Sequence, residues 1–169
     1  MSEVEYFGKN ARLIVSEIDG VLSNGDITID EIGNVLNKTF NSKDFEAINE
    51  LKKYFTIVFL SSDNRINYNF CRRKNYPFYW AKNEEEKYNK LIEILRRYSY
   101  TPDETIYLAS MVSDRKCIRL IPESLCPGDA GEYLKNICFA SFIKNSGRGV
   151  FLELLYLLKD RIKNIRNSG

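Results

Sequence analysis

The strongest constraint on the fold is a repeated alternation between short, uninterrupted apolar runs and longer amphipathic stretches. Apolar runs occupy residues 12–15, 56–60 and 105–109, and polar residues follow each of them. A continuous apolar run is typical of a strand buried on both faces, whereas several of the intervening stretches have the spacing of amphipathic helices. The pattern therefore predicts an α/β fold, Rossmann-like, with a mainly parallel sheet and helices on both faces.

Further elements complete this pattern. Residues 26–29 and 35–40 flank the turn signal Ile32-Gly33-Asn34 and predict a projecting β-hairpin, 26–40. We expect one domain over residues 11–165, tails at 1–10 and 166–169, and no large cap domain. The remaining predicted strands are 78–81, 124–126 and 137–143, and the predicted helices are 43–54 (N-cap Ser42), 64–74, 84–98, 113–120, 130–136 and 149–165.

Composition excludes several classes of function. The chain of 169 residues has 25 Lys and Arg against 23 Asp and Glu, so its charge gives no reason to expect nucleic acid as a partner. It has no histidine, which excludes every mechanism that depends on imidazole. Any catalysis must therefore use carboxylates, hydroxyls, lysine or a hard metal ion.

The cysteines and the apolar segments indicate a cytoplasmic protein. No two of the four cysteines form a C-x-x-C pair, so we expect Cys71, Cys117, Cys126 and Cys138 to be reduced thiols. The N-terminal residues lack the apolar core of a signal peptide, and no apolar run approaches the roughly 20 residues of a membrane span. We therefore expect no membrane association.

Chemically useful side chains follow the predicted strands. Glu17 and Asp19 come after the first strand, Ser61 after the second and Asp114 after the third, while Lys87 lies near the start of the helix 84–98. Functional groups of parallel sheets collect beyond the carboxyl ends of the strands. We therefore expect these residues to share one crevice.

Their order resembles the haloacid dehalogenase superfamily and, within it, the 3-deoxy-D-manno-octulosonate 8-phosphate phosphatase family. Residues 17–25 follow the family's opening Asp-x-Asp-Gly-Val-Leu-Thr-Asp-Gly segment. Ser61 falls on the hydroxyl of its second motif, Lys87 on its third-motif lysine, and residues 145–150 match its Gly-Gly-Arg-Gly-Ala segment. The chain is also similar to the C-terminal domain of animal CMP-sialic acid synthetases.

The resemblance implies a reaction scheme. In the superfamily the first carboxylate attacks phosphorus, the second acts as acid and base, and Mg²⁺ bridges the nucleophile and the phosphate. Carried over to this chain, the roles fall on Glu17 and Asp19 as catalytic residues, Ser61 and Lys87 as phosphate-binding residues, Arg148 as a substrate-binding residue, and Glu17, Asp19 and Asp114 as metal ligands.

The same comparison reveals departures that predict a loss of activity. Glu17 replaces the nucleophilic aspartate and is one methylene longer. Ser110 and Met111 stand where the family has two aspartates, and methionine is a poor ligand for Mg²⁺. In the second motif Asp63 replaces an arginine and would repel phosphate.

Three functions stay open at this point. The first is a pseudophosphatase that acts as an oligomeric structural or binding module. The second is an active Mg²⁺-dependent phosphatase of a phosphorylated sugar acid, with an unusual Glu17/Asp19 site. In the third, the chain binds a sugar acid or phosphate through Lys87 and Arg148 without turnover. The family associates as tetramers with projecting hairpins, so the resemblance implies a homotetramer through hairpin 26–40; alternatively, the hairpin is a flap over its own subunit.

Most of the candidate residues also have a purely structural interpretation. Ser61 could be a loop hydroxyl that caps the helix after it. Asp19 could belong to an ordinary Asp-Gly turn. Lys87 could be a solvated helix residue, and Arg148 could pair with a carboxylate. Asp114 could cap its own helix or pair with Lys116.

Overall fold

The computed structural model describes residues 7–169. Its strands are Leu13–Ser16 (β1), Ser23–Ile29 (β2), Val35–Phe40 (β3), Thr56–Ser61 (β4), Phe78–Trp80 (β5), Thr105–Leu108 (β6), Glu123–Cys126 (β7) and Ala140–Ser141 (β8). Its α-helices are Ser42–Leu51 (α1), Ile66–Lys74 (α2), Glu84–Tyr98 (α3), Arg115–Leu120 (α4), Glu132–Ile137 (α5), Val150–Leu157 (α6) and Lys159–Ser168 (α7). Six strands form one parallel sheet in the order β5-β4-β1-β6-β7-β8, while β2 and β3 form a separate antiparallel hairpin.

The sheet has an apolar core on each face. Successive residues of β1 point to opposite faces, so Ile14 packs with Ile48 of α1 and Phe151 of α6, whereas Val15 packs with Leu91 of α3. All four residues of β1 are buried, which explains why Leu13, Ile14 and Val15 form a continuous apolar run rather than alternating with polar residues. The predicted α/β fold with a parallel sheet and a projecting hairpin is confirmed.

Several predicted boundaries are wrong for identifiable reasons. Asn41, not Ser42, caps α1, because its side-chain oxygen accepts the Lys43 amide at 2.9 Å. The strand predicted over 137–143 shrinks to the two residues of β8, and Ile137, its predicted first residue, instead ends α5.

The two ends of the chain also differ from the prediction. The helix predicted over 149–165 consists of α6 and α7, which meet at Leu158, and α7 continues past residue 165 to Ser168. Residues 7–10 of the predicted N-terminal tail pack on the domain, where the Gly8 amide donates to Glu123 Oε1 at 2.9 Å. Residues 1–6 of that tail lie outside the described residues.

Two expectations about composition can be compared with the structure. The four cysteines are free thiols; Cys71, Cys117 and Cys126 are buried and Cys138 is half-buried. Within residues 7–169, no helix combines the length and the apolar character needed to span a bilayer.

Candidate functional site

The candidate site lies where three neighbouring strands end. β4, β1 and β6 are adjacent in the sheet, and their carboxyl ends lead into Ser61, into Glu17 and Asp19, and into Ser110 and Asp114, respectively. A 3-10 turn over Val112–Asp114 follows β6 and turns the Asp114 carboxylate back toward the sheet. The topology therefore brings most of the predicted residues together, and they separate into two hydrogen-bonded clusters.

The first cluster, called the Lys87 cluster below, contains Glu17, Lys87, Tyr107 and Asp114. The Lys87 ammonium donates to Glu17 Oε2 at 2.5 Å and to Asp114 Oδ1 at 3.0 Å. The Tyr107 hydroxyl donates to the same Asp114 oxygen at 2.7 Å. The three charged side chains are at most 1% exposed, so this is an ion triad sealed from water.

Burial sets the protonation of this cluster. It raises the pKa of Glu17 to about 7, because the attraction of Lys87 only partly offsets the cost of removing the charge from water and Asp114 adds repulsion. Burial alone would lower the pKa of Lys87, but the charges of Asp114 and Glu17 outweigh it and raise that pKa above its ordinary value. Lys87 is therefore a permanent internal cation, while Glu17 is the group that titrates near neutral pH.

The second cluster, called the Lys38 cluster below, joins the hairpin to the sheet. The Lys38 ammonium, on β3, donates to Asp19 Oδ1 at 2.7 Å, to Asp63 Oδ2 at 2.6 Å and to Asn67 Oδ1 at 3.1 Å. The Asn67 amide nitrogen donates to Asp19 Oδ2 at 2.9 Å and to Ser61 Oγ at 2.8 Å. Both oxygens of Asp19 thus accept hydrogen bonds from within the chain.

Opposing influences act on the charges of the Lys38 cluster. Burial would lower the pKa of Lys38, but its hydrogen bonds to Asp19 and Asp63 raise it overall. Burial would raise the pKa of Asp63, yet hydrogen bonds from Lys38 and from the Arg65 amide hold it below the ordinary value. Asp63 also accepts the Ile66 amide at 3.1 Å, so it stabilises the start of α2.

Ser110 connects the two clusters through the backbone. Its hydroxyl donates to the Asp19 carbonyl, and its amide donates to Asp114 Oδ2 at 3.0 Å. The Met111 amide donates to the same Asp114 oxygen at 2.8 Å, while the Met111 side chain is 37% exposed. Asp114 thus receives four hydrogen bonds and holds the loop that follows β6.

These residues do not fit a Mg²⁺ ion. Within the described part of the chain, no three acidic, thiol or imidazole side chains are grouped so that they could hold a metal. The carboxylates of Glu17 and Asp114 converge on the Lys87 ammonium rather than on an open position. The Asp19 carbonyl is another oxygen that could bind a hard metal ion, but it accepts the Ser110 hydroxyl. Mg²⁺ requires near-octahedral oxygen ligands, and this arrangement offers it no free set.

Arg148 does not join either cluster. Its side chain is exposed, and within residues 7–169 its guanidinium has neither an ion pair nor a side-chain hydrogen bond. The carboxylate pairing considered for it is therefore not found there. Its neighbours are structural: buried Asp44 accepts the Gly149 amide at 3.2 Å and the Phe151 amide at 2.9 Å, and so caps α6.

The structural interpretations of the other residues have mixed outcomes. Lys87 is fully buried, so the solvated interpretation is wrong. Asp114 pairs with Lys87, whereas Lys116 pairs with Glu85. Asp19 does belong to an Asp-Gly turn, in which Gly20 has φ of 75°, but its carboxylate is also engaged by Lys38.

Sequence reasoning missed three members of the clusters, namely Lys38, Asn67 and Tyr107. Lys38 carried a weak signal, because it lies two residues before Phe40 and so shares the inward face of β3 with an aromatic side chain. Tyr107 lies within an apolar run, so the sequence indicates only a residue of the hydrophobic core. Nothing in the local sequence of Asn67 points to the site.

An open cleft of about 570 Å³ borders the Lys38 cluster. Its charged lining comprises two carboxylates, Asp19 and Asp63, and two cations, Lys38 and Arg65. Arg65 also donates to the Val35 carbonyl and so links α2 to the hairpin. The cleft is thus balanced in charge, unlike a site built to attract a phosphate dianion.

Comparison with known proteins supports the fold. No protein-family model matches the chain. Among solved structures, it is similar to the cobalt-bound deoxy-D-mannose-octulosonate 8-phosphate phosphatase (YrbI) of Haemophilus influenzae, with 22% identity, 90% of each chain covered and a TM-score of 0.81.

Two other solved structures give the same result. The 3-deoxy-D-manno-octulosonate 8-phosphate phosphatase of Moraxella catarrhalis, in complex with a magnesium ion, a phosphate ion and a KDO molecule, is 18% identical over 94% of this chain and 92% of that one, with a TM-score of 0.83. The enzyme of the same name from Yersinia pestis is 19% identical over 96% and 88%, with a TM-score of 0.83. The chain therefore has the fold of these haloacid dehalogenase-like phosphatases, as its motifs implied.

Proposed function

We propose that this protein is a catalytically degraded member of the 3-deoxy-D-manno-octulosonate 8-phosphate phosphatase family and acts as an oligomeric structural or ligand-binding module. The observation that carries the proposal is the state of Glu17 at the nucleophile position. Its side chain is 1% exposed, Oε2 accepts Lys87 at 2.5 Å, and Oε1 accepts the Ile18 amide at 3.0 Å. A nucleophile must present an oxygen in line with the scissile bond, and Glu17 presents none.

The acid–base position supports the same proposal. A general acid or base must reach the bridging oxygen of the substrate, but both oxygens of Asp19 accept hydrogen bonds from Lys38 and Asn67. The poor fit to Mg²⁺ removes the third element of the scheme. An active phosphatase would have to break both clusters before each turnover.

A ligand-binding role would use the cleft rather than Lys87. The Lys87 ammonium is buried and committed to two carboxylates, so it is not free to bind a phosphate or a sugar acid. The exposed Arg65 lines the cleft and is the available cation there.

A turnover assay tests the loss of activity. Purified protein would be incubated with Mg²⁺ and a panel of sugar phosphates that includes 3-deoxy-D-manno-octulosonate 8-phosphate, and released phosphate would be measured. We expect the wild type to match an Asp19→Asn control at the background rate. Hydrolysis by the wild type that Asp19→Asn abolishes would establish the alternative, a working Glu17/Asp19 phosphatase, and overturn the proposal.

The assembly part of the proposal is a homotetramer through hairpin 26–40. Its support is an apolar surface that the single chain leaves uncovered: Ile27 is 54% exposed, Ile29 56%, Ile32 78% and Leu36 57%. Uncovered isoleucine and leucine side chains at this density are typical of a surface that another chain buries.

Sedimentation velocity tests the assembly. We expect the wild type to sediment as a tetramer, an Ile29→Asp/Leu36→Asp variant to dissociate, and an Ile143→Asp variant, whose side chain is 88% exposed elsewhere on the surface, to stay tetrameric. A wild type that stays monomeric at high concentration would contradict this part of the proposal.

A further inference from the structure

Within residues 7–169, Lys38 is the hairpin residue whose side chain reaches the carboxylates at the strand ends. It extends from β3, opposite Ile27 of β2, and its ammonium ends among Asp19, Asp63 and Asn67. These three residues follow β1, follow β4 and lie in α2, so a single side chain ties the hairpin to three separate segments of the domain.

The contact is well formed. The Lys38 side chain is 5% exposed, although it arises from a hairpin whose other residues are largely exposed. All three protons of the ammonium have an acceptor within 3.1 Å, and two of those acceptors are carboxylates. Charge-assisted hydrogen bonds of this kind are the stronger ones in proteins.

Within residues 7–169, the hairpin has further links to the domain, one of which joins the Ser146 hydroxyl to the Asn24 carbonyl at 3.3 Å. Arg65 donates to the Val35 carbonyl, and Phe40 stacks on Phe70 with ring centroids 4.5 Å apart. Phe40 lies at the base of the hairpin, whereas Lys38 lies one step further toward the tip. Among the described residues, both ion pairs between the hairpin and the domain are made by Lys38, whereas Arg65 holds Val35 nearer the tip by a hydrogen bond to its carbonyl. We therefore expect Lys38 to contribute most to the position of the hairpin.

We propose that Lys38 is a positioning residue that fixes the hairpin against the domain, and that Asp19 and Asp63 serve as its anchor. The carboxylate at the acid–base position thus has a structural use that is independent of phosphate chemistry. The exposed apolar side chains of the hairpin are held in one orientation as a result; their use in assembly rests on the proposed function.

Hydrogen–deuterium exchange of the intact chain tests the anchor. We expect Lys38→Met to accelerate exchange of the amides in 23–40 about tenfold or more, the loss expected when hydrogen bonds to charged groups are removed. Exchange in β1 and β6 should stay at the wild-type rate. The matched control is Lys43→Met, which removes an exposed lysine five residues further along.

Two further variants separate anchoring from a general loss of stability. Asp19→Asn/Asp63→Asn should reproduce the local acceleration, because it removes the same ion pairs from the other side. Lys38→Arg should restore much of the protection, since it keeps a cation on a long side chain. Unchanged exchange in 23–40 for Lys38→Met, or equal acceleration across the whole chain, would overturn the proposal.

Sedimentation of the same variants distinguishes this inference from the proposed function. If the wild type is monomeric but Lys38→Met still accelerates exchange in 23–40, the anchor is supported and the assembly is contradicted. A tetrameric wild type whose hairpin exchanges equally fast with and without Lys38 would preserve the assembly and contradict the anchor. Neither readout depends on phosphatase activity.

Discussion

Replacing Lys87 by methionine tests the ion triad at the centre of the site. Methionine keeps the length and helix propensity of lysine but removes the ammonium that lies 2.5 Å from Glu17 and 3.0 Å from Asp114. Removing one partner of a buried ion pair costs about 3–5 kcal/mol, because the remaining charge is left without compensation. For a domain of this size each kcal/mol lowers Tm by about 2–4 °C, so the expected fall is roughly 6–20 °C.

The assay is urea unfolding followed by circular dichroism at pH 7.5, with Lys90→Met as the control. Lys90 lies three residues further along α3 and pairs with Glu93 at 2.9 Å, but both side chains are solvent-accessible, at 37% and 52%. An exposed pair of this kind contributes less than about 1 kcal/mol. At pH 5.5 the Lys87→Met penalty should shrink, because Glu17 is then largely protonated. A Lys87→Met variant no less stable than Lys90→Met at pH 7.5 would refute this reasoning.

Three further predictions concern other residues. Folding raises the pKa of Glu17 from 4.5 to about 7, so the folded state binds more protons than the unfolded state between these pH values. The free energy of unfolding should therefore fall as the pH rises from 4.5 to 7. Urea titrations of Glu17→Gln should show a flatter dependence on pH. Asp44→Ala leaves buried amides of α6 without an acceptor and should cost about 1–3 kcal/mol in urea unfolding, against almost nothing for exposed Asp26→Ala. Gly147→Ala should lower Tm clearly more than Gly33→Ala. Both glycines have positive φ, but only the Cβ added at Gly147 would meet backbone, the Asn24 nitrogen at 2.5 Å. Equal losses of Tm in calorimetry would contradict this close approach.

The sequence alone predicted the architecture because the determining signals are local. The apolar runs at β1, β4 and β6 are continuous since both faces of the sheet are covered. The carboxyl ends of parallel strands lie at one edge, so the positions of Glu17, Ser61 and Asp114 near one another followed from topology.

What the sequence did not predict depends on tertiary contacts. A lysine in a hairpin is usually solvated, and the burial of Lys38 results from acceptors 19, 25 and 29 residues away along the chain. The hydrogen bonds that Lys38 and Asn67 donate to Asp19 could not be predicted for the same reason.

The most direct test of the central claim is a calorimetric titration of the wild-type protein with Mg²⁺ at pH 7.5. The account predicts no binding heat up to millimolar Mg²⁺, because Lys87 and Lys38 already neutralise the carboxylates that a metal would need. Stoichiometric binding that Asp114→Asn abolishes would show that the site accepts a divalent ion, and would contradict the account.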